Sequence, residues 1–303
     1  MEVRGLGRYP AARRVIAQVS DTHLLEGGAP LGGVADTVSA LERTAEQLAR
    51  LGDRLDAIVV TGDVTDLGEP GAYRLVREAV EPVVSATGAE VVWVMGNHDE
   101  RAAFRAELLG TEQSDAPVHH VVGIGGLRVI ALDTSVPGFH HGELDESSLA
   151  WLDATLAEPA PEGTIIAMHH APIATPLALM DVLELRGQDE LADVVRGRDV
   201  RLILGGHLHY PTNGMFAGIP VSVAGATAYT MDLSAPPREL VGIDGGRSFT
   251  LVHVYDEDIV TSVVPVGAFP VVTSFGQQFL AELEALSPEE RLDRFSRKRP
   301  SGA

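Results

Sequence analysis

The sequence contains no cysteine, so neither disulfides nor thiolate metal sites are available to it, and its redox compartment is not legible. Lysine occurs once, at Lys298, and every other basic side chain is arginine. Positive charge is scarce overall: 23 Lys and Arg stand against 43 Asp and Glu, giving a formal net charge of −20 and a pI near 4.8. Nucleic-acid binding draws its affinity from neutralised phosphates, so a long polyanion is excluded as the main partner. A small phosphorylated molecule stays within reach if bound cations invert the local field. No apolar run reaches the roughly 18 residues of a membrane span, and the N-terminus lacks the apolar core of a signal peptide. The expectation is a soluble, cytoplasmic protein. With 303 residues and 45% hydrophobic composition, the chain has the material for a substantial core.

Short β-rich runs alternate with helical periodicity. Val15 to Ser20 reads as a strand that stops at Asp21, and Val34, Val38, Leu41, Ala45 and Leu48 recur at helical spacing, closing near Gly52. Ala57 to Thr61 is a strand ending at Gly62-Asp63; Pro70 opens a helix whose inner face carries Tyr73, Val76 and Val80. Val91 to Met95 is a strand ending at Gly96-Asn97. Val118–Ile124 and Leu127–Leu132 flank Gly125-Gly126, a hairpin signal. A helix through Leu149, Leu152 and Leu156 precedes strands at Thr164–Met168, ending at His169, and Val200–Leu204, ending at Gly205-Gly206-His207. Three more strands fall near 219–224, 249–255 and 259–265, with a polar, Pro/Gly-rich loop over 235–247. This order implies a mixed α/β sandwich of two packed sheets. In the tail, Phe279, Leu280, Leu283 and Leu286 make one apolar stripe, Ser287-Pro288-Glu289-Glu290 forms a capping box, and Arg297-Lys298-Arg299 ends the segment. A helical appendage on the core or on a second subunit is the plain reading; contact with a membrane surface or envelope is the other.

The chemistry-bearing residues gather at strand ends: Asp21-Thr22-His23, Gly62-Asp63, Gly96-Asn97-His98-Asp99, His169 and Gly206-His207-Leu208-His209. Open α/β sheets bind ligands at such ends. Residues two apart in extended chain point the same way, so Asp21 with His23, and His207 with His209, can reach one cluster. Each motif alone is common; five in one order, all offering nitrogen or oxygen donors, are not. Asp99 reads as a structural partner of its loop and His170 as pointing away from the cluster. His119, His120 and His253 read as ordinary strand residues, whereas His140 and His141 sit on a loop able to overhang the site.

These motifs resemble the signature of the calcineurin-like metallophosphoesterases over roughly residues 14 to 270. Ser20-Asp21-Thr22-His23-Leu24, Val92 to Asp99, Leu132 to Gly138, His141-Gly142-Glu143-Leu144 and Ala224-Gly225-Ala226-Thr227 are similar to the class III cyclic-nucleotide phosphodiesterases, in particular their actinobacterial branch. Purple acid phosphatases would carry glycine at His23, and protein Ser/Thr phosphatases would carry Asp-Arg-Gly at Asp66-Leu67-Gly68. The resemblance implies a four-layer α/β/β/α sandwich of two mixed sheets flanked by helices, with a catalytic domain over 1–270 and a helical tail over 271–303. It further implies a homodimer. One metal ion is assigned to Asp21, His23, Asp63 and His209, and a second to Asp63, Asn97, His169 and His207. Donors of this kind suit iron or manganese first, zinc or cobalt next. The implied activity is hydrolysis of small phosphodiesters, foremost 3′,5′- or 2′,3′-cyclic nucleotides, by a metal-activated hydroxide attacking phosphorus. A glycerophosphodiester or nucleotide-pyrophosphate hydrolase is the alternative. Catalytic roles fall to His98, hydrogen-bonded by Asp66, and substrate contacts to Asn97, His98 and, favoured over His140 by its match to the family's His-Gly-Glu-Leu run, His141.

Overall fold

In the computed structural model of the chain, residues 6–298 are described. They divide into two compact units, Arg14–Gly267 and the described parts of 1–13 and 268–303. Arg299 and the outer limits of the two expected domains, 1 and 303, lie outside the described residues. Among those residues no helix is long and apolar enough to cross a membrane.

The strands of the larger unit are β1 (Arg14–Val19), β2 (Ala57–Thr61), β3 (Glu90–Val94), β4 (His120–Ile124), β5 (Leu127–Leu132), β6 (Thr164–Met168), β7 (Val200–Gly205), β8 (Thr212–Phe216), β9 (Ile219–Val223), β10 (Thr230–Met231), β11 (Gly242–Ile243), β12 (Ser248–Val254) and β13 (Ile259–Pro265). Two mixed sheets result, in the orders β13-β12-β1-β2-β3 and β4-β5-β6-β7-β9-β8. In the first, β1, β2 and β3 run parallel and β12 and β13 antiparallel to their neighbours; in the second, β5, β6, β7 and β9 are parallel and the edges antiparallel.

Strand periodicity decides what each face meets. In β2, Ala57 and Val59 join Ile16, Val92, Val129, Ile165, Ala167 and Leu204 in an apolar layer built from both sheets. The alternate residues Ile58 and Val60 face outward onto α1 (Thr37–Ala49) and α2 (Pro70–Thr87), through Leu41, Leu48, Tyr73, Val76, Val80 and Val83. The second sheet does the same: Ile130, Leu132, Ile166, Met168 and Ile203 pack against Leu152 of α4 (Glu146–Thr155) and Leu191 and Val195 of α6 (Gln188–Val195). The layers are thus helix, sheet, sheet, helix, as the family resemblance implies.

Differences from the sequence reading are local. The first helix starts at Thr37, because the Asp36 carboxylate accepts from the Ser39 amide 3.0 Å away and caps it; Val34 precedes that cap and is 72% exposed. The 235–247 stretch contains β11, paired to β10. Strand β8, the short helices α3 (Arg101–Phe104) and α5 (Ala178–Val182), and α6 were not read from the sequence. In the smaller unit α7 spans Gln277–Ala285, leaving Leu286 just beyond its end, and Ser287 closes the expected capping box on α8 (Pro288–Arg291). Phe279 packs against Phe275 and Phe295 there, with ring centroids 4.7 and 5.3 Å apart.

Candidate dinuclear metal centre

Every expected ligand follows the carboxyl end of a parallel strand: Asp21 and His23 after β1, Asp63 after β2, Asn97 after β3, His169 after β6, His207 and His209 after β7. The chain leaves these strands through backbone that few side chains adopt. Seven non-glycine residues among those described have positive φ, and five of them are Asp21 (52°), His23 (43°), Asp63 (45°), His207 (70°) and His209 (58°). Asp and His tolerate this left-handed region better than most, yet each instance costs on the order of 1 kcal/mol and persists where surroundings enforce it. Here the enforcement is main-chain pairing between loops: Asp21 N donates to Gly62 O at 3.1 Å and His23 N to Asp63 O at 3.0 Å. Gly96 admits a close approach, since a Cβ there would lie 2.2 Å from both Asp63 N and Oδ1.

Hydrogen bonds from behind fix each donor atom. The main-chain amide of His98 donates to Asp63 Oδ1 at 2.8 Å. This leaves Oδ2 facing His169 Nε2 at 3.2 Å on one side and His23 Nε2 at 3.5 Å on the other. His169 Nδ1 donates to Thr61 O (2.8 Å), His209 Nδ1 to Tyr229 O (3.2 Å), His207 Nε2 to Leu183 O (3.1 Å) and His23 Nδ1 to Asp66 Oδ1 (3.0 Å). These bonds set the tautomers, so the opposite ring nitrogen of each histidine keeps its lone pair. The main-chain amide of His207 also holds Asp21, 3.1 and 3.2 Å from its two oxygens.

The lone pairs converge. His23 Nε2 and His209 Nε2 face each other at 3.1 Å, and Asp21 Oδ1 is 3.5 Å from His209 Nε2. His169 Nε2 meets Asp63 Oδ2 and Asn97 Oδ1, each at 3.2 Å. Carboxylate, amide and imidazole acceptors brought together in a dry interior require positive charge among them, a proton or a cation. Asp21, His23, Asp63 and His209 offer ligand atoms all within 4.8 Å of one another, as do His169, His170 and His207. His170 has both nitrogens engaged elsewhere, with Thr134 Oγ1 at 2.8 Å and His140 O at 3.2 Å. The donors therefore fit two cations that share Asp63.

Protons compete with a cation for these donors: despite its burial, His23 is raised above its usual value by Asp66 and Asp63. Burial works against the Asp63 charge, yet His169 and His23 outweigh it and hold the carboxyl well below its usual range. Burial also opposes charge on His169, but the facing Asp63 lifts it to about 9. His207 is pushed down to about 3 by burial and by its neighbour His169, and burial with His23 beside it keeps His209 well below its usual value. Burial raises Asp21.

Other expected residues fall as follows. Asp99 is buried and accepts from Gly96 N (2.9 Å), Val64 N (3.2 Å) and Thr65 N (3.2 Å), tying the β2 and β3 loops together. Asp66 gives its carboxylate to His23, while His98 Nδ1 donates to the Asp66 main-chain oxygen at 2.9 Å. His141, expected over the site, is only 8% exposed, and its ring lies against Phe139, 5.3 Å away. Its neighbour His140 meets Asn97 instead, with Nδ1 2.9 Å from Asn97 Nδ2. Sequence reasoning also missed Tyr229, whose ring lies 4.2 Å from that of His209; nothing in the local sequence signals it.

Residues 14–211 match the calcineurin-like phosphoesterase family. The chain belongs to that family. It is 52% identical over 267 residues to a cAMP/cGMP dual specificity phosphodiesterase of Mycobacterium tuberculosis, covering 88% of this chain and 84% of the relative. A probable cyclic nucleotide phosphodiesterase of Rhodococcus erythropolis is 50% identical over 272 residues, covering 90% of each. Among solved structures, a dimetal phosphatase from Danio rerio shares the fold with a TM-score of 0.59 at 17% identity, over 84% of this chain and 97% of the other. The first two relatives thus extend the family likeness past residue 211, across most of the chain.

Proposed function

We propose that this calcineurin-like phosphoesterase is a metal-dependent phosphodiesterase acting on small diesters, with 3′,5′- or 2′,3′-cyclic nucleotides as its natural class. The observation that carries this reading is the buried convergence of carboxylate, imidazole and amide ligand atoms about Asp63 Oδ2, between His169 and His23. Relatives at 52% and 50% identity named for cyclic-nucleotide hydrolysis support the substrate class.

Asp21, His23, Asp63 and His209 would hold one cation, and Asp63, Asn97, His169 and His207 the other. Imidazole, carboxylate and amide donors without thiolate suit iron or manganese, and also zinc or cobalt. When bound, such a pair supplies Lewis acidity toward phosphoryl oxygens and activates water. The chain's own residues do the positioning. The His98 amide fixes the shared carboxylate, and Asp66, Tyr229, Thr61 and Leu183 fix four rings. His98 itself is partly exposed, with Nδ1 committed to Asp66 O, so Nε2 is its available donor at the substrate. In this reading the charged ring gives its Nε2 proton to the alcohol oxygen as the P–O bond breaks, leaving the neutral Nδ1–H form.

The test compares bis(p-nitrophenyl) phosphate, p-nitrophenyl phosphate and 3′,5′-cAMP with Mn-loaded protein and an Asn97→Ala control. Cleavage of the diester and cAMP above the monoester, collapsing in the control, is expected. Preference for the monoester makes the protein a phosphatase. Faster turnover of a glycerophosphodiester or dinucleotide than cAMP moves the substrate class, and no turnover with any metal refutes the reading.

A further inference from the structure

Outside the two ligand sets, one exposed histidine stands against the site. His140 Nδ1 lies 2.9 Å from Asn97 Nδ2, and its ring centroid is 4.9 Å from that of His98. An amide nitrogen has only hydrogens to offer, so His140 Nδ1 accepts and its ring proton sits on Nε2. His98 has the opposite arrangement, with the proton on the Nδ1 that faces Asp66 O. The neighbouring rings therefore differ: neutral His140 presents an Nε2–H, whereas His98 presents one only when charged.

The loop beneath His140 is anchored from behind. Buried His170 donates from Nε2 to His140 O at 3.2 Å and accepts at Nδ1 from Thr134 Oγ1 at 2.8 Å. Gly142 presses on that ring so closely that a Cβ would fall 2.5 Å from its Cγ. Bridges from Gly142 to Ser135 and to Leu185 hold the loop on both flanks. An exposed ring on a main chain fixed this firmly is preorganised for a ligand arriving from solvent.

We propose that His140 is a further catalytic residue, whose Nε2–H donates a hydrogen bond to a phosphoryl oxygen of the bound phosphodiester beside His98. His170 is the positioning residue that aims it. The proposal rests on the phosphodiesterase reading above. No proton moves in this contact; the hydrogen bond strengthens as negative charge grows on the phosphoryl oxygens, which is where preorganised donors act on rate.

Three substitutions separate this role from simple support of Asn97. Glutamine places its amide near the position of Nε2, asparagine near that of Nδ1. His140→Ala is expected to lower kcat for bis(p-nitrophenyl) phosphate and cAMP on the order of 10²-fold. Metal content should stay at the wild-type level, and binding of inorganic phosphate to the Mn-loaded protein should weaken about tenfold by calorimetry. His140→Gln should recover most of both losses and His140→Asn little. Unchanged kcat and phosphate affinity in His140→Ala, loss of metal from it, or better rescue by Asn than by Gln overturns the assignment. His170→Phe should lower kcat with KM and metal content held, and its loss should not add to that of His140→Ala; additive losses refute the positioning role. Phosphate affinity is read without turnover. A wild type that cleaves no diester therefore refutes the phosphodiesterase reading, while the phosphate measurement still decides the contact.

Discussion

Asp66 Oδ1 lies 3.0 Å from His23 Nδ1 and 3.5 Å from His98 Nδ1, so its carboxylate belongs first to His23. A carboxylate behind a metal-facing imidazole fixes the ring and raises its basicity, and such partners are worth about 10–100-fold in metal affinity. Asp66→Asn should therefore weaken metal binding by about that factor while sparing turnover once metal saturates. Titration of the metal-free protein with Mn followed by assay at saturation reads both quantities. A variant with wild-type affinity and low saturated kcat would mean that Asp66 acts through His98 instead.

Gly96 has no room for a methyl group, since the added Cβ would overlap Asp63 N and Oδ1 at 2.2 Å. Both contacts are with the shared carboxylate's own residue, so relief must displace it. Gly96→Ala should lose more than 10²-fold in kcat and release metal, because a displacement near 1 Å at reacting groups already costs that much. Full metal content by elemental analysis with wild-type kcat would show that the β3 loop yields harmlessly.

These two cases mark what the sequence could and could not reveal. Strand ends were legible because apolar runs such as Ala57–Thr61 and Thr164–Met168 stop at Gly-Asp or His, and burial makes the run continuous. Helix α2 was legible from Pro70 and the spacing of Tyr73, Val76 and Val80. Strand β8 was not: Thr-Asn-Gly-Met-Phe is half-exposed at a sheet edge and carries no strong pattern. The candidate ligands could be named from motifs, but the left-handed backbone at Asp21, His23, Asp63, His207 and His209 could not, because pairing between distant loops imposes it. The choice between His140 and His141 turned on loop facing, which rests on Gly142 packing against His170. The motif match favours His141 for substrate contact, whereas the residue set against Asn97 is His140.

Removal of metal should destabilise the protein. Without a cation, His23 Nε2 and His209 Nε2, buried 3.1 Å apart, have only a shared proton to hold them together. A cation bound only by the folded state adds about 2.7 kcal/mol at a hundredfold excess over its Kd. Chelator should thus lower Tm by several degrees, and added Mn should raise it with concentration. A Tm indifferent to both would refute a structural contribution from the pair.

His120 offers a pH test away from the metal centre. It lies in edge strand β4, its Nδ1 is buried without a hydrogen-bond partner among the described residues, and burial pushes its pKa down to about 4. The folded state therefore resists a proton that the unfolded chain takes up near pH 6.5. By linkage, the stability at stake is fully present above pH 6.5, declines as pH falls toward 4, and changes no further below that. An uncharged substitute, His120→Gln, should show a shallower fall between pH 6.5 and 4. The expected gain relative to wild type at pH 4.5 is on the order of 1–2 kcal/mol, discounted for partial exposure of the ring. Urea unfolding of both Mn-loaded proteins at pH 7.5, 6.0 and 4.5 measures it. Parallel curves across that window would show that His120 carries its proton as readily in the fold as outside it.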